Sequence, residues 1–320
     1  MSTRAAALLA TSVAVILPAA PAAAAEPYAV GKRSYTFVDT SRPTAANGAY
    51  PGAPTRTLET IVLYPATGDA FSATTDDAPA VRTSKGKRFP LLIFSHGFTG
   101  TGPAYQSLLE RFARTGYVVA APTFPLSRGG APGGPKLGDY ANQPADVSFV
   151  LRRMLRLARS DSGLQRTIDT RDIGAFGHSL GAITTLGATT NSCCRERRID
   201  AAVAWAGIQL PFAGGSFVAK RTPPLLLVHG DADRTVPFAG SVNAYNQARA
   251  PKALVRLIGG PHSPFAPPHV DPLVTSTTAW FDRHLKDDRT AQDRLAAAGN
   301  VTGAASLLQD PGRGGARARR

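Results

Sequence analysis

The chain has 320 residues, 43% apolar and 18% charged, with a formal net charge of +14. That size and composition allow one large or two smaller domains with a sizeable core, and they exclude a disordered chain. The positive excess is scattered, with no basic stripe interleaved with aromatics. Nucleic acid is therefore not an expected partner, whereas adsorption to anionic or lipid surfaces would suit the charge.

Residues 1–25 read as a secretory signal. Arg4 supplies the basic start, Ala5 to Leu17 an apolar stretch, and Ala23-Ala24-Ala25 a small-residue cleavage site before Glu26. The alternative is an uncleaved N-terminal anchor. No other stretch reaches membrane-spanning length, so the expected location is extracellular. The two cysteines, Cys193 and Cys194, are adjacent. Their Cα atoms lie about 3.8 Å apart across a trans peptide, below the usual disulfide range. They form either a vicinal disulfide or two thiols, and neither a metal nor a catalytic role is assigned to them.

Residues 32–38 and 57–64 read as strands separated by a Pro/Gly/Asn-rich stretch at 41–54, an antiparallel start to a sheet. Residues 65–88 read as a polar loop. Phe89 to Phe94 is a continuous apolar run, the signature of a strand buried on both faces. A helix through Leu108, Leu109 and Phe112 ends at Gly116, before a short strand from Tyr117 to Ala121. The Gly/Pro-rich stretch 122–138 reads as a loop able to serve as a lid. A helix over 144–159 carries four arginines on its polar face.

Further strands are expected at Asp172–Phe176, Ala201–Ala206, Leu225–Val228 and Ala253–Ile258, with helices after Ser179, over Val242–Ala248 and over about 272–286. Strands alternating with helices imply a mostly parallel sheet with right-handed crossovers. One domain over 26–287 is expected. Residues 288–320 are Ala/Gly/Arg-rich and read as a disordered basic tail.

The chemistry centres on Gly177-His178-Ser179-Leu180-Gly181. A strand precedes it and a helix follows, the context in which G-x-S-x-G forms a nucleophile elbow. The motif alone is weakly specific, so the rest of the chain must support it. A serine needs a base to take its proton, usually a histidine held by a carboxylate. The acid is expected in Asp231-Ala232-Asp233-Arg234-Thr235-Val236-Pro237, just after an apolar strand. Asp231 and Asp233 are both candidates, and one of them caps the turn.

Among six histidines, His178 flanks the serine and points away from it. His96 reads as structural, His229 ends the strand before the acid loop, and His284 reads as solvated on the last helix. His262 and His269 remain. His262 follows Ile258-Gly259-Gly260-Pro261 directly, where a loop can return to the sheet edge, and it is favoured as base over a loop histidine without chemistry. An oxyanion hole needs two backbone donors. Leu180 N–H, after the nucleophile, is one. Phe98 N–H, in the His96-Gly97-Phe98 loop, is the other, unless that loop is merely a turn.

At these residues the chain resembles the α/β-hydrolase superfamily, in the branch of platelet-activating-factor acetylhydrolases, chlorophyllases, dienelactone-hydrolase-like proteins and actinobacterial cutinases that cleave polyesters. The matching stretches are Ser95–Gly100, Gly177–Gly181, Asp231–Pro237 and Gly260–Ser263, with Asn142–Val147 resembling the helix entry before the elbow. The resemblance spans about 57–286. It implies an α/β-hydrolase fold with a mostly parallel sheet, an antiparallel start and helices on both faces, and it places the acid at Asp233.

The nucleophile is a serine rather than the cysteine of true dienelactone hydrolases, so lactone specificity does not follow. Leu180 stands where polyester-cleaving cutinases carry Met, Trp205 falls too early to match their stacking Trp, and their distal disulfide has no counterpart. The expected activity is that of a secreted serine carboxylic-ester hydrolase on a small-molecule or polymeric ester, with Ser179, His262 and Asp233 as a triad. It calls for no metal or organic cofactor, and a monomer is expected. The alternatives are a lipase or cutinase-like hydrolase of insoluble esters and a non-catalytic hydrolase-fold or polyanion-binding protein.

Overall fold

The computed structural model describes residues 27–82, 88–160, 163–217 and 222–312. The signal-like segment 1–25 and the last eight residues, 313–320, lie outside the described residues. In chain order the strands are β1 (Ala29–Asp39), β2 (Arg56–Ala66), β3 (Thr75–Asp76), β4 (Phe89–Ser95), β5 (Val118–Thr123), β6 (Ile168–His178), β7 (Ala201–Trp205), β8 (Leu225–Gly230), β9 (Lys252–Leu257) and β10 (Ala305–Asp310). The helices are α1 (Gln106–Arg114), α2 (Gln143–Leu157), α3 (Leu180–Thr190), α4 (Ala239–Gln247), α5 (Val270–Leu285) and α6 (Ala291–Gly299).

One sheet contains all ten strands, ordered β10-β9-β8-β7-β6-β4-β5-β2-β1-β3. The six central strands, β4 to β9, run parallel. β1 and β2 form an antiparallel pair, and β2 joins β5 antiparallel. The order reverses at β4, whose neighbours β5 and β6 lie on opposite sides of it. In open sheets of this kind, sites form outside the strand ends near such a switch point.

The apolar runs are continuous because both faces of the sheet are covered. Leu92 and Phe94 of β4 join Phe112 of α1 and Phe281 and Leu285 of α5 in one core cluster. Leu91 and Ile93, pointing the other way, join Val150, Leu151 and Met154 of α2. Ala202 and Ala204 of β7 pack with Leu186 of α3 and Tyr245 of α4.

A buried ionic cluster ties the antiparallel start to the parallel half. Arg56 of β2 is almost wholly buried, yet its guanidinium reaches Asp139 and Asp146 at 2.6 and 2.7 Å. Burial opposes its charge, and the hydrogen bonds it donates to the Asp146 and Asp139 carboxylates more than offset it, raising its pKa. Arg42 joins through Asp146 and Asp39. The entrance of α2 is thereby fixed against β2.

Two expectations are corrected. The domain does not end at 287, because residues 291–310 form α6 and β10 rather than a disordered tail. Leu295 of α6 is buried in the main core, and β10 pairs antiparallel with β9 along its whole length. The added strand covers what would be an open parallel edge. The stretch 122–138 is not a free lid either. Leu126, Ser127 and Ala131 are buried, the Asn47 side-chain amide donates to Pro132 O and Gly134 O, and Thr99 exchanges backbone bonds with Ser127 and Gly129. The loop at 65–88 also contains the two-residue β3, paired with β1. No described helix is long and apolar enough to cross a membrane.

Candidate active site

Ser179 sits between β6 and α3 with φ 55° and ψ −119°, a region that side chains rarely occupy. The flanking glycines explain how the turn is accommodated. A Cβ on Gly177 would lie 2.8 Å from Ser95 O, besides striking Gly181 O, and one on Gly181 would lie 2.7 Å from His96 O, besides striking Ser95 O. The elbow, the start of α3 and the end of β4 are pressed together, and only hydrogen fits between them.

Three loops from the same end of the sheet then meet. Ser179 Oγ lies 2.8 Å from His262 Nε2, and His262 Nδ1 lies 2.7 Å from Asp233 Oδ2. The carboxylate is an acceptor, so Nδ1 carries the proton and Nε2 is free to accept from the serine hydroxyl. His262 stands on the loop after β9 and Asp233 on the loop after β8. Asp231, the rival carboxylate, turns away: it pairs with Arg256 at 2.5 Å and accepts the Gly259 N–H.

Asp233 is surrounded by donors. Its Oδ1 accepts the N–H groups of Thr235 and Val236, at 2.7 and 2.9 Å. Its Oδ2 takes both His262 and, at 3.0 Å, Nε2 of His229. Burial raises its pKa, but the hydrogen bonds from Val236 and His262 outweigh that effect and hold the carboxyl below its ordinary range. His229 is fully buried, and desolvation lowers its pKa. Its Nε2 faces two acceptors, Asp233 and Val236 O, so that nitrogen holds the proton. Nδ1 lies 2.7 Å from the Ser241 hydroxyl, which also lies 3.2 Å from Gly207 O. The sequence reading left His229 without a role; its place four residues before Asp233 was the available signal.

The two expected backbone donors lie on the loop after β4, at Phe98, and at the first residue of α3, Leu180. Among the described residues, neither Phe98 N–H nor Leu180 N–H has an acceptor within the chain. Gly97 packs against Ser179, since a Cβ there would lie 3.3 Å from Ser179 Cβ. The Phe98 side chain is 39% exposed, whereas Leu180 is buried with Ile183 and Phe212, and Tyr140 and Ile208 pack on them.

The remaining histidines have structural partners. His96 Nδ1–H donates to Gly97 O and its Nε2 accepts Phe124 N–H, as a structural reading requires. His269 Nε2–H donates to Ile258 O. His284, read as solvated, packs edge-on against Trp280 with ring centroids 4.4 Å apart. His178 engages Tyr105 and the backbone of His262. Cys193 and Cys194 are joined as a vicinal disulfide.

A solved structure of ferulic acid esterase from Streptomyces cinnamoneus superposes with a TM-score of 0.63, covering 83% of this chain and 93% of that one at 22% identity. The chain has the α/β-hydrolase fold. Two partial sequence matches accompany it. The family model for platelet-activating factor acetylhydrolase, isoform II, matches residues 56–124 of this chain, from β2 through β5, the part that carries the Ser95–Gly100 loop. An uncharacterized protein, YfhR of Escherichia coli O157:H7, is 37% identical over 188 residues, covering 53% of this chain and 62% of its own length. A 52-residue match to YfhR of Escherichia coli strain K12 is 38% identical and covers 16% of this chain and 18% of that protein. The chain thus spans less than two thirds of the length of the curated relatives it matches.

Proposed function

We propose that this α/β-hydrolase is an exported serine carboxylic-ester hydrolase. The observation that carries the reading is the unbroken chain of short hydrogen bonds from Ser179 Oγ through His262 to Asp233, with contacts of 2.8 and 2.7 Å. The partial match to the acetylhydrolase family and the likeness to ferulic acid esterase support an ester as the substrate class.

In the proposed mechanism Ser179 Oγ bonds to the ester carbonyl carbon as His262 Nε2 takes its proton. The carbonyl π electrons move to oxygen, and the N–H groups of Phe98 and Leu180 receive the oxyanion. Collapse expels the alcohol, which takes the proton from His262 and leaves an acyl-serine. Water, deprotonated by the same imidazole, then releases the acid. Asp233 keeps the imidazole in the Nδ1–H tautomer and stabilises the imidazolium that forms.

Ser179→Ala tests the reading. Hydrolysis of short-chain p-nitrophenyl esters is expected to vanish while the thermal unfolding midpoint stays near that of the wild type. Retained turnover would overturn it. A panel that adds methyl ferulate, a triglyceride emulsion and polyester film sorts soluble from insoluble substrates. Trp205 is fully buried in β7 and donates to Thr277 Oγ1. It therefore offers no stacking surface for a polyester ring, which favours soluble esters.

A further inference from the structure

A second hydrogen-bonded chain runs beside the first one, through residues to which the mechanism assigns no step. Gly97 N–H donates to Tyr105 Oη at 3.3 Å. Tyr105 Oη lies 2.8 Å from His178 Nδ1, and His178 Nε2 lies 2.8 Å from the backbone carbonyl of His262. The carbonyl can only accept, so Nε2 carries the proton. Burial lowers the His178 pKa to about 4, so the ring is neutral and Nδ1 is a lone pair. The Tyr105 hydroxyl must therefore donate to it, and its own lone pair is left for Gly97 N–H. Every donor in the chain has one acceptor, and the assignment is self-consistent.

The chain joins three segments that the mechanism needs in register. Gly97 immediately precedes Phe98, the candidate oxyanion donor; His178 immediately precedes Ser179; and His262 carries the base. The fit is close, because a Cβ on Gly97 would lie 3.1 Å from Tyr105 Oη and 3.2 Å from His178 Nδ1. Phe265 seals it, its ring centroid 4.9 Å from that of His178 and 5.8 Å from that of Tyr105.

We infer that Tyr105 and His178 are positioning residues, a relay that locks the oxyanion loop and the base loop to the nucleophile elbow. The inference rests on the serine-esterase reading. Neither side chain exchanges a proton with substrate. Their effect is to fix Phe98 N–H and His262 relative to Ser179 Oγ, geometry on which the transition state depends more than the bound substrate does.

The test compares kcat and KM of the full chain on a soluble p-nitrophenyl ester for wild type, Tyr105→Phe, His178→Phe, their double variant and His178→Gln, with thermal unfolding of each. Tyr105→Phe removes only a hydroxyl and keeps the ring contacts with Phe94 and Phe265. It is expected to lower kcat about ten- to a hundredfold with KM within about twofold. The double variant is expected to lose no more than the worse single one, because both break one chain. His178→Gln, which keeps one donor and one acceptor, is expected to recover most of the loss caused by His178→Phe.

A folded Tyr105→Phe with wild-type kcat, a loss residing in KM, or losses that multiply in the double variant would overturn the relay. If the wild-type chain shows no Ser179-dependent turnover, the esterase reading itself fails and the relay's role falls with it. Ser179-dependent turnover that Tyr105→Phe leaves intact removes the relay alone.

Discussion

His229 Nε2 lies 3.0 Å from Asp233 Oδ2, the same oxygen that His262 Nδ1 approaches at 2.7 Å. One carboxylate oxygen thus serves two histidines, one buried and one facing the serine. The buried partner donates without reaching the serine, so it orients the acid while taking no part in proton transfer. His229→Leu would leave the Ser241 hydroxyl without its nitrogen neighbour and Asp233 with one donor fewer. A hydrogen bond to a charged group contributes about 1.5–3 kcal/mol. A loss of that order is expected in urea unfolding, together with a fall in kcat.

The two carboxylates of the acid loop should separate sharply in kinetics. Asp233→Asn lets the side chain donate to His262 and favours the wrong tautomer. It is expected to lower kcat by about 10⁴. Among the described residues the Asp231 side chain reaches Arg256 and Gly259 N–H, so Asp231→Asn is expected to leave kcat within about threefold, the exposed ion pair being worth at most about 1 kcal/mol. Steady-state assays of the two variants side by side check this, and equal losses would contradict the geometry.

Acid should destabilise the fold below neutral pH, before the carboxylates titrate. Burial lowers the pKa of both His96 and His178 to about 4. The unfolded chain protonates these rings near pH 6.5, while the folded chain resists until about 4. The unfolded state therefore binds more protons across that window, and stability falls as pH drops through it. The expected cost is roughly 2–3 kcal/mol for each histidine. Urea midpoints at pH 7 and 4.5 measure it, and His178→Gln should remove a share of the slope, with His96 and the likewise lowered His229 carrying the rest.

Arg56 offers a test of the buried cluster. Arg56→Met leaves Asp139 and Asp146 buried without their main counter-charge. Breaking a buried pair on one side costs about 3–5 kcal/mol. Thermal unfolding should shift accordingly, and a triple variant that also replaces both aspartates by apolar residues should recover much of the loss.

Local patterns in the chain already located much of this. The continuous apolar runs of β4, β7 and β8 could be read directly because both faces of those strands are covered. The elbow could be read because its glycines answer a steric demand between Ser179 and the end of β4. His262 emerged by its place after the last apolar strand then visible. The acid loop was visible too, but residue pattern alone left Asp231 and Asp233 open. Only packing separates them, one turned to Arg256 and the other to two histidines. The segment α6–β10 was missed because its apolar residues are mostly alanines, which carry little periodic signal. Leu295 is its one fully buried large side chain, and β10 is held by pairing with β9 rather than by a pattern of its own. Tyr105 carried no signal of function, since its partner His178 is distant in sequence, and His229 offered only its place four residues before Asp233.

By itself, then, the sequence determined the kind of fold, the elbow at Ser179 and the short roster of acids and bases around it. These follow from constraints within a few residues: periodicity, small residues at a tight turn, and the order of loops along the chain. The tertiary structure decided which carboxylate meets His262, which histidine braces it, and that Tyr105 and His178 link the oxyanion loop to the base loop. Hydrogen bonds between chemical groups tens of residues apart depend on distances that exist only once ten strands have come together in one sheet.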